Sequence, residues 1–90
     1  MKLSKQECID LVKKHSDNLQ VNLMIKNFRI DNINDIEVFR FTMGIMSAEF
    51  LNSLRSDKKI KDIMYNPSFT PPGGSLDSIS LRYKIYLLFN

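Results

Sequence analysis

A single cysteine, Cys8, stands in the whole chain, which excludes an internal disulfide. A domain of 90 residues without such staples must rely on a small hydrophobic core. Absent disulfides suit a reducing compartment, so a cytoplasmic protein is expected. Glycine and proline are scarce, three of each, and two of each sit together in Pro71-Pro72-Gly73-Gly74. Outside that stretch little interrupts regular structure. No apolar run approaches the roughly 20 residues a membrane-spanning helix needs. No apolar signal region follows Met1-Lys2-Leu3 either, so no membrane association is expected. Tryptophan is absent, and no internal repeat or low-complexity tract is evident.

The residues that usually carry chemistry are equally thin. The only histidine, His15, falls seven residues after Cys8 on one helical face. That spacing separates them by about 10.5 Å along the axis, too far for the direct hydrogen bond a Cys–His nucleophile requires. One Cys and one His cannot form a structural zinc site. Asp31 and Asp35 lack the alternating oxygens and distal Glu of a calcium loop. Gly73-Gly74-Ser75 has no following lysine and is not a phosphate-binding loop, and Pro67 has no proline at position 70 to make PxxP. The expectation is a protein that is not an enzyme and carries neither metal nor cofactor.

What is present is an ordinary globular composition, 43% hydrophobic and 26% charged, in a single domain spanning residues 1–90. Ten isoleucines, nine lysines and eight asparagines give the residue usage favoured by AT-rich genomes, including those of many phages and mobile elements. The net charge of +3 permits an acidic partner without demanding one.

Ser4-Lys5-Gln6-Glu7 has the form of a capping box. Behind it Cys8, Leu11, Val12, His15 and Leu19 keep a helical rhythm, predicting a helix from about Lys5 to Asp17. The period then changes. Val21, Leu23 and Ile25 alternate as in a half-buried strand, and Phe28 and Ile30 continue on the other parity, so a β-bulge is expected near Asn27. Asp31 to Asp35 reads as a five-residue hairpin loop. Residues 36–45 fit two patterns. Val38-Phe39-Arg40-Phe41-Thr42 is rich in β-favouring types and Gly44 disfavours a helix interior, so a strand is preferred to the helical stripe through Ile36, Phe39, Met43 and Met46. From Ser47, a helix cap, Phe50, Leu51, Leu54, Ile60, Ile63 and Met64 predict a helix, with Ser56-Asp57 as a point where it can break in two. Tyr65 to Ser75 reads as irregular, and Ile79 to Phe89 alternates as a closing strand.

The order α-β-β-α-β predicts an α+β two-layer sandwich, a small, mainly antiparallel three-stranded sheet with helices on one face. With 36–45 helical the order becomes α-β-α-α-β. In the preferred arrangement Lys26, Arg40, Thr42, Arg82, Lys84 and Tyr86 share the side of the sheet away from the core, with no Asp or Glu among them. A second feature is Phe69, isolated between Pro67 and Pro71 and readable as a loop anchor. The last residues, Tyr86-Leu87-Leu88-Phe89, are apolar on both sides and invite cover from a homodimer formed through the C-terminal strand. Together these features point to a non-catalytic binding protein of the phage-accessory kind. It would dock on and modulate a host protein with an acidic surface through Lys26, Arg40, Arg82, Lys84 and Tyr86, with Phe69 assisting. The alternative is RNA or single-stranded nucleic acid bound on the same basic face.

Overall fold

The computed structural model describes residues 3–70 and 80–90, with residues 68–70 and 80–81 described by their backbone. Helix α1 (Lys5–Asp17) starts as the sequence dictates: the Ser4 hydroxyl accepts from the Glu7 N–H at 3.1 Å and the Glu7 carboxylate accepts from the Ser4 N–H at 3.2 Å. Its Cys8, Leu11 and Val12 are buried. The chain then departs from expectation. Residues 21–25 form no strand, because Met24 adopts a left-handed φ of 57° and its N–H bonds the Asn22 side chain at 2.9 Å. Such a local Asn turn competes directly with a β ladder. Only Leu23 of this segment is buried, and its carbonyl accepts from the Gly44 and Ile45 N–H groups.

Strands β1 (Lys26–Ile33) and β2 (Ile36–Met43) form a hairpin, so the strand reading of residues 36–43 holds and the helical alternative falls. The bulge lies where the change of parity predicts it, between Lys26 and Arg29, with Asn27 at φ 61°. It turns Phe28 inward, where its ring stacks on Phe39 at 5.8 Å and meets Phe41 at 5.9 Å. The turn is shorter than expected. Asn34 and Asp35, at φ 51° and 66°, connect the Ile33↔Ile36 pair directly. Positive φ at both turn residues matches the right-handed twist of a hairpin, and Asn and Asp tolerate it. Asp31 to Ile33 therefore belong to β1 rather than to a loop.

Helix α2 (Ala48–Arg55) is capped by Ser47, whose hydroxyl accepts from the Phe50 N–H, and buries Phe50, Leu51 and Leu54. It stops at Ser56, after which the Asp57 carboxylate accepts from the Lys59 N–H at 3.0 Å in a turn. Ile60, Ile63 and Met64, expected in a helix, instead open a fourth strand, β3 (Ile60–Thr70). The sequence conceals it because Ile60 and Ile63 are spaced like helical neighbours and Pro67 reads as a breaker. Pro67 is tolerated because β3 is an edge strand. Of the irregular stretch expected from 65 to 75, residues 65–70 thus lie in β3 and residues 71–75 outside the described residues.

Strand β4 (Ser80–Phe89) completes an antiparallel sheet ordered β1-β2-β4-β3. The fold is α+β, with four strands where three were expected. Phe39, Phe41, Met43, Ile63, Ile85 and Leu87 of the sheet join the apolar sides of α1 and α2 in one core, so both helices cover the same face. The aromatic cluster ends on Phe50, 6.3 Å from Phe41. β4 lies between β2 and β3, paired with β2 from Tyr83 to Leu87 and with β3 from Ser80 to Phe89. Among the described residues no helix is long and apolar enough to cross a membrane.

Candidate binding face

With both helices on one side, no described element covers the other side of the sheet. Residues directly opposite in an antiparallel ladder share a face, so the register fixes what this face carries. Lys26, Thr42 and Lys84 make one row across β1, β2 and β4. Arg29, Arg40, Tyr86 and Met64 make the next across all four strands. Arg82 lies two positions before Lys84 on β4 and shares its face. The structure therefore brings five of the six expected residues onto one surface. Phe69 is the exception: it pairs with Leu81 inside β3 rather than standing on a loop, and its side chain lies outside the described residues.

A shallow depression of about 430 Å³ occupies the middle of this face, lined by Asn27, Arg29, Arg40, Thr42, Arg82 and Lys84. Lys26 and Tyr86 flank it on the same face. Arg82 is fixed in place: its Nη2 donates to the Met24 carbonyl at 2.7 Å, and its Nε and Nη2 both donate to the Thr42 hydroxyl at 3.3 Å. Thr42 in turn donates to the Lys26 carbonyl and accepts from Asn27 Nδ2. This network ties the left-handed turn at Met24 to the sheet. Gly44 permits the close approach, since a Cβ there would stand 2.9 Å from Met24 Cβ.

The expectation of a face without acids needs correcting. Because the hairpin turn has two residues rather than five, Asp31 joins β1 and reaches this surface. Its carboxylate lies 3.1 Å from Arg29 Nε and 3.3 Å from Arg40 Nε. Asp62, opposite Leu88, stands on the same side. Arg29 and Asn27 were missed as site residues, although the bulge that turns Phe28 and Ile30 inward already implies that Arg29 points outward. Among the described residues Arg82 and Lys84 have no carboxylate partner.

Beyond the depression the face becomes apolar. Ile33, Ile36 and Met64 are about half exposed, Tyr86 and Leu88 are half-buried, and Val38 is 3% exposed without belonging to the core cluster. Basic and apolar surface therefore lie side by side on one sheet face.

Two other places hold groups that chemistry could use. His15 on α1 sits between Ser53 on α2, at 2.7 Å from Nδ1, and Asp57, at 2.9 Å from Nε2. An imidazole protonated on Nε2 donates to Asp57 and accepts the Ser53 hydroxyl at Nδ1, the same order of groups as in a hydrolytic triad. The hydrogen bond from His15, then that from the Lys59 N–H, holds the Asp57 carboxyl below the usual range, with burial opposing. Neither cavity adjoins these three residues. Around them the N–H groups of Ser56, Asp57 and Lys59 are already bonded, so they supply no oxyanion donors of the kind such chemistry needs. The trio joins α1 to α2.

The second place is a cavity of about 500 Å³ where the sheet forks. The β2–β4 ladder ends at Phe39↔Leu87, while β1–β2 runs on to Ile33↔Ile36 and β3–β4 to Ile60↔Phe89. Leu3, Cys8, Ile30, Phe39 and Phe89 line the gap. Burial, helped by Glu7 and Glu37, pushes the Cys8 thiol up to about 11, so it stays protonated at neutral pH and is a poor nucleophile or metal ligand. Among the described residues no three His, Cys, Asp or Glu side chains gather as a metal-binding group. No family model, curated protein or solved structure matches the chain.

Proposed function

We propose that the chain is a non-catalytic binding module that docks an acidic protein partner onto the uncovered face of its sheet. The observation that supports this reading is the basic depression beside an apolar strip on a face that neither helix covers. Charge complementarity selects the partner and steers its approach, and the apolar strip supplies area to bury. A polyanion such as RNA has no use for Ile33, Ile36 and Met64, and among the described residues Tyr86 is a lone stacking platform on this face. The residue usage supports a phage or mobile-element accessory acting on a host protein inside the cell, where its thiol stays reduced.

The test is capture by the full chain in three charge-altered forms. Arg40 and Lys84 are reversed to Glu in one, Ile36 and Met64 become Asp and Lys in another, and Lys13 and Lys14 on α1 are reversed to Glu as a control. Arg82 is left intact because it anchors the Met24 turn. The proposal expects one set of captured proteins lost in both open-face forms and kept in the control. Capture unaffected by the open-face changes would overturn it.

A further inference from the structure

We infer that the basic depression is a seat for a single phosphate dianion, so that the partner is recognised through a phosphorylated side chain. The inference rests on the docking reading above and names what that site takes. Its first support is charge balance. Four cationic side chains, Arg29, Arg40, Arg82 and Lys84, line one depression of about 430 Å³. Arg29 and Arg40 stand directly opposite in the ladder, an arrangement that is destabilising for like charges. Asp31 is the carboxylate that meets them, and it reaches those two alone. Among the described residues no carboxylate meets Arg82 or Lys84, so the described lining of the seat lacks more than one negative charge. A dianion supplies two.

The second support is preorganisation. Three hydrogen bonds hold the Arg82 guanidinium on Met24 and Thr42. Donors fixed before binding lose little entropy when an oxyanion arrives. Arg40, Arg82 and Lys84 reach the depression from two adjacent strands roughly 4.8 Å apart. A phosphate monoester offers three terminal oxygens to such a set, whereas a carboxylate offers two and half the charge.

The third support concerns number. Asp31 and Asp62 stand on the same face, and the surface beyond the depression is apolar. Toward Asp31, Asp62 and the apolar strip a chain of phosphates would meet repulsion or apolar surface, and Lys26 is the flanking cation on the other side. A protein segment with one phosphate and one apolar anchor fits both parts. Lys84 and Leu88 lie four residues apart on β4, about 13 Å, so the anchor falls about four residues from the phosphorylated position in an extended segment.

The experiment titrates the isotope-labelled full chain with phenyl phosphate, benzoate or a ten-residue oligothymidylate at constant ionic strength, following backbone amides and arginine Nε–H signals. Phenyl phosphate is expected to saturate, to shift the Nε–H signals of Arg40 and Arg82, and to bind at least roughly tenfold more tightly than benzoate. Lys84→Gln should weaken it about fivefold or more with the melting temperature unchanged, since the Lys84 side chain makes no bond to any described residue. Equal affinity for benzoate and phenyl phosphate overturns the phosphate assignment, as does absence of saturation. Tighter binding of the oligothymidylate, per phosphate, overturns it in favour of nucleic acid. Phosphatase treatment of the capture lysate separates the two levels. Losing open-face-dependent capture supports the phosphate seat, and keeping it overturns the seat while leaving acidic docking intact. Capture that never depended on the open face overturns the docking reading itself.

Discussion

Replacing His15 with Ala removes the only side chain that hydrogen-bonds α1 directly to α2 and its C-terminal turn among the described residues. Two bonds are lost, one to Ser53 at 2.7 Å and one to the Asp57 carboxylate at 2.9 Å. A hydrogen bond to a charged group contributes about 1.5–3 kcal/mol and a neutral one about 0.5–1.5. Side-chain exposures of 11% for His15 and 19% for Asp57 leave water able to replace part of each. A cost near 1.5 kcal/mol is therefore expected, which lowers the melting temperature by about 6–12 °C in a domain of this size. Asp57 also sets a pH signature. Its carboxyl is held below the usual range, chiefly by His15, so its contribution is fully present above the unfolded value near 4 and disappears as pH falls through the lower folded value. Urea denaturation of His15→Ala, Asp57→Ala and the double variant forms the cycle. A coupling of about 1 kcal/mol is predicted at pH 7, falling away as acid protonates Asp57. A coupling under about 0.3 kcal/mol at pH 7, or one equally large in acid, would refute the clasp.

Gly44→Ala should destabilise by about 1–3 kcal/mol, because the new methyl meets Met24 Cβ at 2.9 Å and Met24 Sδ at 3.1 Å in a turn already held by Arg82. An alanine variant of equal or greater stability in thermal melts would show that the turn yields freely. Cys8, 3% exposed and with its thiol pushed up to about 11, should react with a disulfide reagent at pH 8 no faster than the domain opens, and at once in denaturant. Immediate labelling of the native protein would contradict its burial.

Much of this fold could be read from local chemistry. The capping box at Ser4 and Glu7, the change of parity at Asn27 and the cap at Ser47 each act within a few residues, and each appears where its residues require. The misreadings share a cause in tertiary context. The alternation of Val21, Leu23 and Ile25 was outweighed by the Asn22 side chain and the left-handed Met24. Ile60 and Ile63 look helical because a bulge between Ile60 and Asp62 offsets their strand alternation. Pro67 hides a strand only to a reader who cannot know that β3 is at an edge. The basic face was legible for the same reason that its acid was not: strand parity placed Arg40, Lys84 and Tyr86, whereas Asp31 joined them only because a two-residue turn replaced a five-residue loop. The Ser53–His15–Asp57 clasp spans 42 positions of chain, and no local pattern signals it.

The central claim is that charge on the open face governs partner binding, and Asp31→Asn tests it most directly. That single change frees Arg29 and Arg40 from their carboxylate and removes one negative charge beside the depression. Asp31 is half-buried and bridges two opposed arginines, so its loss should cost stability on the order of 1 kcal/mol, which thermal melts would show. Removing a like-signed repulsion beside a bound anion should tighten binding about two- to fivefold at moderate salt, with the gain shrinking as salt rises. Captured-partner affinity measured for wild type and Asp31→Asn at two salt concentrations gives the answer. Tighter, salt-sensitive binding by the variant is the predicted result, and unchanged or weaker binding would contradict the account.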